Sequence, residues 1–345
     1  MEVRKVQYRI TQPSKLLDGQ GRLIQTGYAT SPLLIYNRKN AAKKFRLKEW
    51  DYYSISCSKW AFTLTVGNSM GFLMISATLL DFRYGLNYSK TVVRFVPGWK
   101  LPECSQIGDI LFKDKKVDLA IIHKGNQRHL SLSMKNFLGT SDLKIHVILT
   151  KEPRDSMVIA TPFVENSKYF YYNRKIIGMT PYGYVQIKDN TYFFKPYSSF
   201  GVLDWGRGIW PYKTSWYWGC AHGLIGDDTF SFNLGYGFGD TSAATENMLF
   251  FNGKADKLAH VRFHLHRKIN KNQYMKPWLV TSSDNRLEMV FVPIFHRAVN
   301  LSIILLSTHQ HLIFGRFYGR AFLKNGKAIF LKGLPGFIER FINRW

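Results

Sequence analysis

Apolar and polar residues alternate along most of this chain. In Ala61–Gly67, Phe62, Leu64 and Val66 fall on one side, with Thr63 and Thr65 on the other. Leu143–Leu149 repeats the arrangement, Leu143, Ile145 and Val147 opposing Lys144 and His146. A period of two sends successive side chains to opposite faces of a strand. The runs are short and end at Gly, Pro, Asn-Gly or Asp-Asn, a pattern that predicts many antiparallel strands. Two segments differ. Ser31–Lys44 is ambiguous. Leu334–Trp345 puts Phe337, Phe341 and Trp345 on an i, i+4 stripe beside Ile338 and Ile342, which predicts a terminal helix docked by its apolar side.

The strand patterns recur in order. At an offset of 168, Trp50 meets Trp218, and Phe62, Leu64, Val66 and Gly67 meet Phe230, Phe232, Leu234 and Gly235. At 144, DLKIHVIL (142–149) meets RLEMVFVP (286–293). At 136, Tyr182-Gly183 meets Tyr318-Gly319, and the segments that follow carry Asp189-Asn190 and Asn325-Gly326. Both dipeptides favour the tight turns of hairpins. A falling offset with the order preserved is the mark of a duplication whose second copy lost loop residues. The expectation is an all-β chain of two domains, 1–197 and 198–345. Sandwiches and barrels are the candidates, and an eight-stranded barrel encloses room for one small ligand.

Length and composition agree. A chain of 345 residues suits two domains, and 46% hydrophobic residues supply a core. Aromatic residues reach 16%, favouring strands and apolar pockets. Cys57, Cys104 and Cys220 lie far apart, without zinc-ligand spacing or a disulfide framework, as expected of a cytoplasmic protein. Neither Met70–Leu80 nor Leu301–Leu306 is long enough to span a bilayer, and Met1–Ile10 lacks an apolar run of signal-peptide length. The net charge of +25 favours anionic partners. Its clusters are Lys39, Lys43, Lys44, Arg46 and Lys48, then Lys113, Lys115 and Lys116, then Arg267, Lys268 and Lys271. No nucleic-acid motif accompanies them and the aromatics alternate as core residues do, so peripheral contact with an anionic membrane is preferred over nucleic acid. A generally basic surface is the plain alternative. Oligomeric state is open.

Candidate chemistry concentrates in Phe200–Gly219. Trp205, Trp210, Trp216 and Trp218 fall there with Tyr212 and Tyr217, around the opposite charges Asp204 and Arg207 and the glycines Gly201, Gly206 and Gly208. An acid, a guanidinium and an aromatic wall can line a pocket, or they can be core with a structural ion pair. Asp240 and Glu246 in Gly237–Met248 are further acids, or polar loop residues. His260, Arg262, His264 and His266 share one strand face, read with His309 and His311 as solvated. GYGFG (235–239) is a turn, and neither a phosphate loop nor a hydrolase elbow is present, so no cofactor and no metal are predicted.

KEWDYY (48–53), DSMVIATPF (155–163), LDWGRGIWPY (203–212), WYWG (216–219), NLGYGFGDTSAATENM (233–248), YMKPW (274–278) and NRW (343–345) resemble the bacterial family called domain of unknown function 2804. The resemblance covers essentially the whole chain. More distantly the chain is similar to a calycin-like superfamily of AttH-type proteins, carotenoid hydratase (hydroxyneurosporene synthase) and tocopherol cyclase. That likeness implies two tandem lipocalin-like β-barrels. It also implies a second-barrel motif at Asp204, Trp205, Gly206, Trp216 and Trp218, although the histidine that follows the acid in those relatives is Trp205 here. The implied function is binding of a hydrophobic small molecule, a lipid or an isoprenoid. The alternative is a hydratase, cyclase or isomerase in which Asp204, Asp240 or Glu246 protonates an alkene and the aromatic faces stabilise the cation. A basic interaction module is the remaining alternative.

Overall fold

The alternating runs build two long antiparallel sheets of the same design. The structure, a computed structural model, describes residues 7–268, 271–303 and 306–344, apart from the side chains of Arg267, Lys268, Lys271, Ile303 and Leu306. Expectations for the first six residues, for the basic group at Arg267, for the middle of 301–306 and for Trp345 lie outside the described residues. The first sheet uses β1 (Leu47–Cys57), β2 (Trp60–Ser69), β3 (Phe72–Asp81), β4 (Leu86–Phe95), β5 (Ile110–Lys113), β6 (Val117–Lys124), β7 (Gln127–Leu138), β8 (Ser141–Thr150), β9 (Asn166–Ile187) and β10 (Ser199–Ile209). The second uses β11 (Lys213–Ile225), β12 (Asp228–Tyr236), β13 (Met248–Phe251), β14 (Lys254–Lys257), β15 (Val261–His264), β16 (Trp278–Ser282), β17 (Leu287–Ile303), β18 (Leu306–Phe322) and β19 (Ala328–Arg344).

The first main path runs β4-β3-β2-β1-β10-β9-β8-β7-β6-β5, and the second β14-β13-β12-β11-β19-β18-β17-β16-β15. Matched from β4 and β14 onward, the orders coincide strand for strand, and β5 is an addition to the first. Each sheet curls into a half-barrel, giving the tandem barrel arrangement expected from the repeats. Trp50 opposes Gly67 as Trp218 opposes Gly235, so the first offset holds in the hydrogen-bond register. Gly183 and Gly319 share a rare backbone conformation, φ of +136° and +135°. An added Cβ would lie 2.0 Å from the His146 carbonyl oxygen in one and 2.3 Å from that of Glu288 in the other. Only glycine fits such a place. Gly183 opposes Val147 and Gly319 opposes Met289, which moves the second match by two residues and keeps every side chain on its face.

Packing groups the chain into two compact units: one holds the residues up to Lys43, Arg154–Asn173 and those from Gly208 on; the other holds Lys44–Pro153 and Arg174–Arg207. They are called the outer and inner units below, after their order in the sequence. In the outer unit, Phe230, Phe232, Leu234, Trp278, Val280, Phe291, Ile313 and Phe317 fill the inner face of the second sheet. No described helix is long and apolar enough to cross a membrane.

The terminal helix is not formed. Leu334–Arg344 belongs to β19, paired with β11 on one side and β18 on the other. The misleading stripe arises because this central strand is buried on both faces: Phe337 and Ile338, adjacent and oppositely directed, are each 0% exposed. Two-sided burial erases alternation and mimics a helical pattern. The ambiguous Ser31–Lys44 holds a short extended piece, Leu34–Ile35, and a 3-10 turn, Arg38–Asn40. Phe337→Ala and Ile338→Ala are each expected to cost roughly 2–5 kcal/mol in denaturant titrations. Ile342→Ala, on a more exposed position, should stay within about 0.5 kcal/mol.

Candidate functional site

Alternation along β1 turns Glu49, Asp51 and Tyr53 to the inner face of the first sheet, and all three are buried. β10, the neighbouring strand, supplies Arg207, whose side chain has no solvent exposure. Its Nη2 lies 3.0 Å from Asp51 Oδ1 and its Nε 3.7 Å from Glu49 Oε1. Nη1 donates to the carbonyls of Trp50 (2.7 Å) and Gly206 (2.8 Å), and Nη2 to that of Pro102 (2.8 Å). The guanidinium carbon sits 4.2 Å from the Trp205 ring centroid. Burial pushes the Asp51 carboxyl up from the usual range, against the pull of Arg207. Burial also pushes the Tyr53 hydroxyl up to about 12, Arg128 opposing.

A second group in the same unit adjoins the first through Arg128. Arg128 Nη2 donates to the Ser105 carbonyl (2.7 Å) and to Glu152 Oε2 (3.3 Å), while Nη1 meets His123 Nε2 at 2.5 Å. His123 is held below its ordinary value, first by burial and then by Arg128, so a neutral ring can accept that bond. Arg174 bonds Glu152 Oε1 at 2.5 Å and Ser105 Oγ at 3.3 Å. Three buried guanidiniums and three carboxylates thus meet at one end of an inner face floored by Leu64, Val66, Leu130, Leu132, Ile145 and Val147. Except for Arg207, the sequence reading missed them. They are scattered over β1, β7, β9 and the loop after β8, and the one available signal was charge at inward positions of otherwise apolar runs.

The predicted residues divide at Arg207. In the inner unit, Asp204 and Arg207 stand three apart on β10 and so face opposite sides of the sheet. Asp204 instead accepts from Trp50 Nε1 at 3.3 Å. Gly206 makes room for that indole, since a Cβ there would lie 2.0 Å from Trp50 Cζ2. LDWGRG (203–208) and KEWDYY (48–53) therefore complement each other on adjacent strands: Asp204 and Gly206 hold Trp50 outside, and Arg207 holds Glu49 and Asp51 inside.

In the outer unit, Trp210 meets Trp216 edge-on at 5.3 Å, and both rings pack on Phe238. Trp216 stacks on Phe341 at 4.7 Å and donates to Glu339 Oε1 at 2.8 Å. Trp218, on the same face by alternation, is buried against Phe337 and donates to Asn233 Oδ1 at 2.7 Å. Tyr212 is exposed. Asp240 shapes a loop, its Oδ1 accepting from the Ser242 amide and its own amide donating to the Pro162 carbonyl. Glu246 is buried with a carboxylate oxygen where a Cβ on Gly235 would fall. Nearby Lys257 donates to Thr245 Oγ1, the Asn247 carbonyl and the Leu258 carbonyl at 2.7, 2.7 and 2.9 Å. Burial draws its ammonium well below the usual value, Glu246 and Asp284 opposing. These residues form a second aromatic layer and its polar edge.

A further group escaped the sequence reading. His296 Nε2 and His311 Nδ1 lie 3.0 Å apart, and the Tyr274 ring stacks on His311 at 3.9 Å. Arg340 donates to the Tyr274 hydroxyl at 2.9 Å. His311, expected on a solvated face, is half-buried, and burial, His296 and Arg340 together take it down to about 4. Among the described residues no group of three or more His, Cys, Asp or Glu is placed to hold a metal ion.

Comparison with known proteins agrees with this architecture. Residues 7–345 match the family described as Domain of unknown function (DUF2804). An AttH-like protein of Nitrosomonas europaea superposes with a TM-score of 0.55 at 12% identity, over 86% of this chain and 92% of that one. Kievitone hydratase from Nectria haematococca gives 0.49 at 9% identity, over 96% and 98%. No curated protein matches the sequence.

Two pH dependences follow from the burial of these groups. Asp51 holds its proton more tightly folded than unfolded, so it adds stability at acid pH that is lost as pH rises from about 4 through its raised value. Across that range the urea midpoint of wild type should fall relative to that of Asp51→Asn. His311 acts in the other sense: its contribution is present above 6.5 and lost as pH falls toward about 4. The urea midpoint of His311→Gln should therefore be flatter over that interval than that of wild type.

Proposed function

This chain belongs to the DUF2804 family, and we propose that it binds a small, largely apolar molecule with a polar end in the half-barrel of its inner unit. The observation that carries the reading is the asymmetry of the duplication. The second half-barrel is packed on its inner face with its own Phe, Trp and Ile side chains. The first is lined at the matched strands by apolar residues that are just as buried, and it also gathers Glu49, Asp51, Arg128, Glu152, Arg174 and Arg207 at one end. Both copies bury charge, the second at Glu246 and Glu339, but among the described residues buried guanidiniums occur in the first alone, and such a cluster fits a polar group held there. The division into duplicated domains 1–197 and 198–345 is part of this reading. Of the predicted site, Arg207 and Trp205 line the proposed pocket, while Asp204 supports Trp50 from behind the sheet.

A second reading, acid chemistry on an isoprenoid or polyene, is favoured by one feature, the raised carboxyl of Asp51. A carboxyl that burial makes hold its proton more tightly stays protonated further up the pH scale than an exposed one and can serve as a proton donor. In that case Asp51 takes the role first considered for Asp204. Native mass spectrometry after gentle extraction tests the main reading: the protein should carry a lipid- or isoprenoid-sized adduct. Readdition of that lipid at about 100 times its Kd should add about 2.7 kcal/mol of stability. A bare protein that no cellular lipid extract stabilises would overturn it. Turnover of an added polyene, lost in Asp51→Asn with the adduct retained, would establish the second reading.

A further inference from the structure

Between β4 and β5 the chain runs from Val96 to Asp109 without a strand or helix. Since β15 matches β6, the whole stretch from Val96 to Lys116, β5 included, corresponds to Leu258–His260 between β14 and β15 in the second half-barrel. The first copy thus carries an insertion, of a length that in compact domains is uncommon and usually functional. It lies on the ionisable cluster of its own unit. Pro102 gives its carbonyl oxygen to Arg207, Ser105 its carbonyl to Arg128 and its hydroxyl to Arg174, and Trp99 its carbonyl to Asn68. Leu101 and Ser105 are the buried side chains of this strap, whereas Ile107 is 68% exposed. Besides its carboxylate partners, each of the three guanidiniums takes a neutral oxygen from this one loop, at a position an anion could occupy.

We propose that the Val96–Asp109 strap gates a site for an acidic amphiphile, a long-chain carboxylic acid whose carboxylate replaces the Pro102 and Ser105 oxygens at Arg207, Arg128 and Arg174 when the strap lifts. The inference rests on the reading that the inner half-barrel binds an apolar molecule, and it adds the head group and the gate. Guanidiniums bind a carboxylate through charge-assisted, often bidentate bonds, about twice as strong as bonds to a neutral carbonyl. The charge balance suits such a guest. Three arginines face Glu49, Asp51 and Glu152, and burial raises the Asp51 carboxyl, so a carboxylate guest can be matched by proton uptake at Asp51 with the cluster kept neutral. An alcohol or hydrocarbon would draw no such exchange and no charge-assisted bond from the arginines. The apolar inner positions of β2, β7 and β8 would receive the chain. The strap has no strand pairing. Besides the bonds to the three arginines and Asn68 it is held by buried Leu101, by Trp99 Nε1 donating to the Leu111 carbonyl and by Asp109 accepting from the His123 amide. A segment outside the sheet ladder is of the kind that opens locally.

A closed strap lowers apparent affinity by the fraction of molecules that are open, so loosening it should tighten binding. The probes are a dansyl-labelled long-chain fatty acid and the corresponding primary alcohol, titrated by fluorescence into wild type, Leu101→Ala and the milder Ser105→Ala. The acid should bind wild type roughly tenfold or more tightly than the alcohol. Both variants should bind the acid several-fold more tightly than wild type, with Leu101→Ala also melting at lower temperature. Equal affinity for acid and alcohol would overturn the head-group assignment and leave the apolar-binding reading standing. Unchanged or weaker binding by both variants would overturn the gate. No binding of either probe to any of the three proteins, together with a bare protein in native mass spectrometry, would remove both readings.

Discussion

A guanidinium with no access to water must be neutralised where it stands, and Arg207 imposes that condition on the inner unit. Glu49 and Asp51 supply the charge, three carbonyls take its remaining hydrogens, and Trp205 lies against its face. Removing any partner leaves a buried charge exposed to low dielectric, which typically costs several kcal/mol. Through its bond to Pro102 the same residue reaches the strap. A single side chain thereby touches strand β10, strand β1 and the inserted loop.

The two half-barrels show how one design can be held together in two ways. The second half-barrel relies on aromatic packing: Phe291 and Phe317 centroids are 4.7 Å apart, and Phe232 meets Phe317 edge-on at 4.9 Å. Such pairs add about 0.5–1.5 kcal/mol beyond the area they bury. The first half-barrel buries ion pairs on its inner face, an arrangement that seldom improves stability over apolar packing but fixes orientation. Gly183 and Gly319 remain alike in both copies because backbone geometry there admits no side chain. What each copy kept is what its backbone requires. What it changed is what its interior faces.

The charged residues of the motifs serve one another before they serve a ligand. Asp204 and Gly206 seat Trp50, and Gly235 leaves room for the Glu246 carboxylate. Pattern reading sees Asp204 and Arg207 as a pair because they are close in sequence. A strand turns them to opposite faces, and each finds its partner on β1.

Much of the fold was legible in the sequence. Alternation gave the strands, the falling offsets gave the two related sheets, and Gly183 and Gly319 marked one shared position inside matched strands. The helix expected over Leu334–Trp345 failed because local pattern cannot distinguish a strand buried on both faces from one apolar helical stripe. The aromatic density of Phe200–Gly219 correctly announced buried rings, yet it could not say which unit each belonged to. Nor could it announce Asp51, Arg128, Glu152 or Arg174. Those residues come from β1, β7, β9 and the loop after β8, and only sheet pairing brings them together with β10 and the loop after β4. Composition and periodicity act along the chain and determine which face a residue takes. Which charges meet on that face depends on strand order, a property of the folded sheet alone.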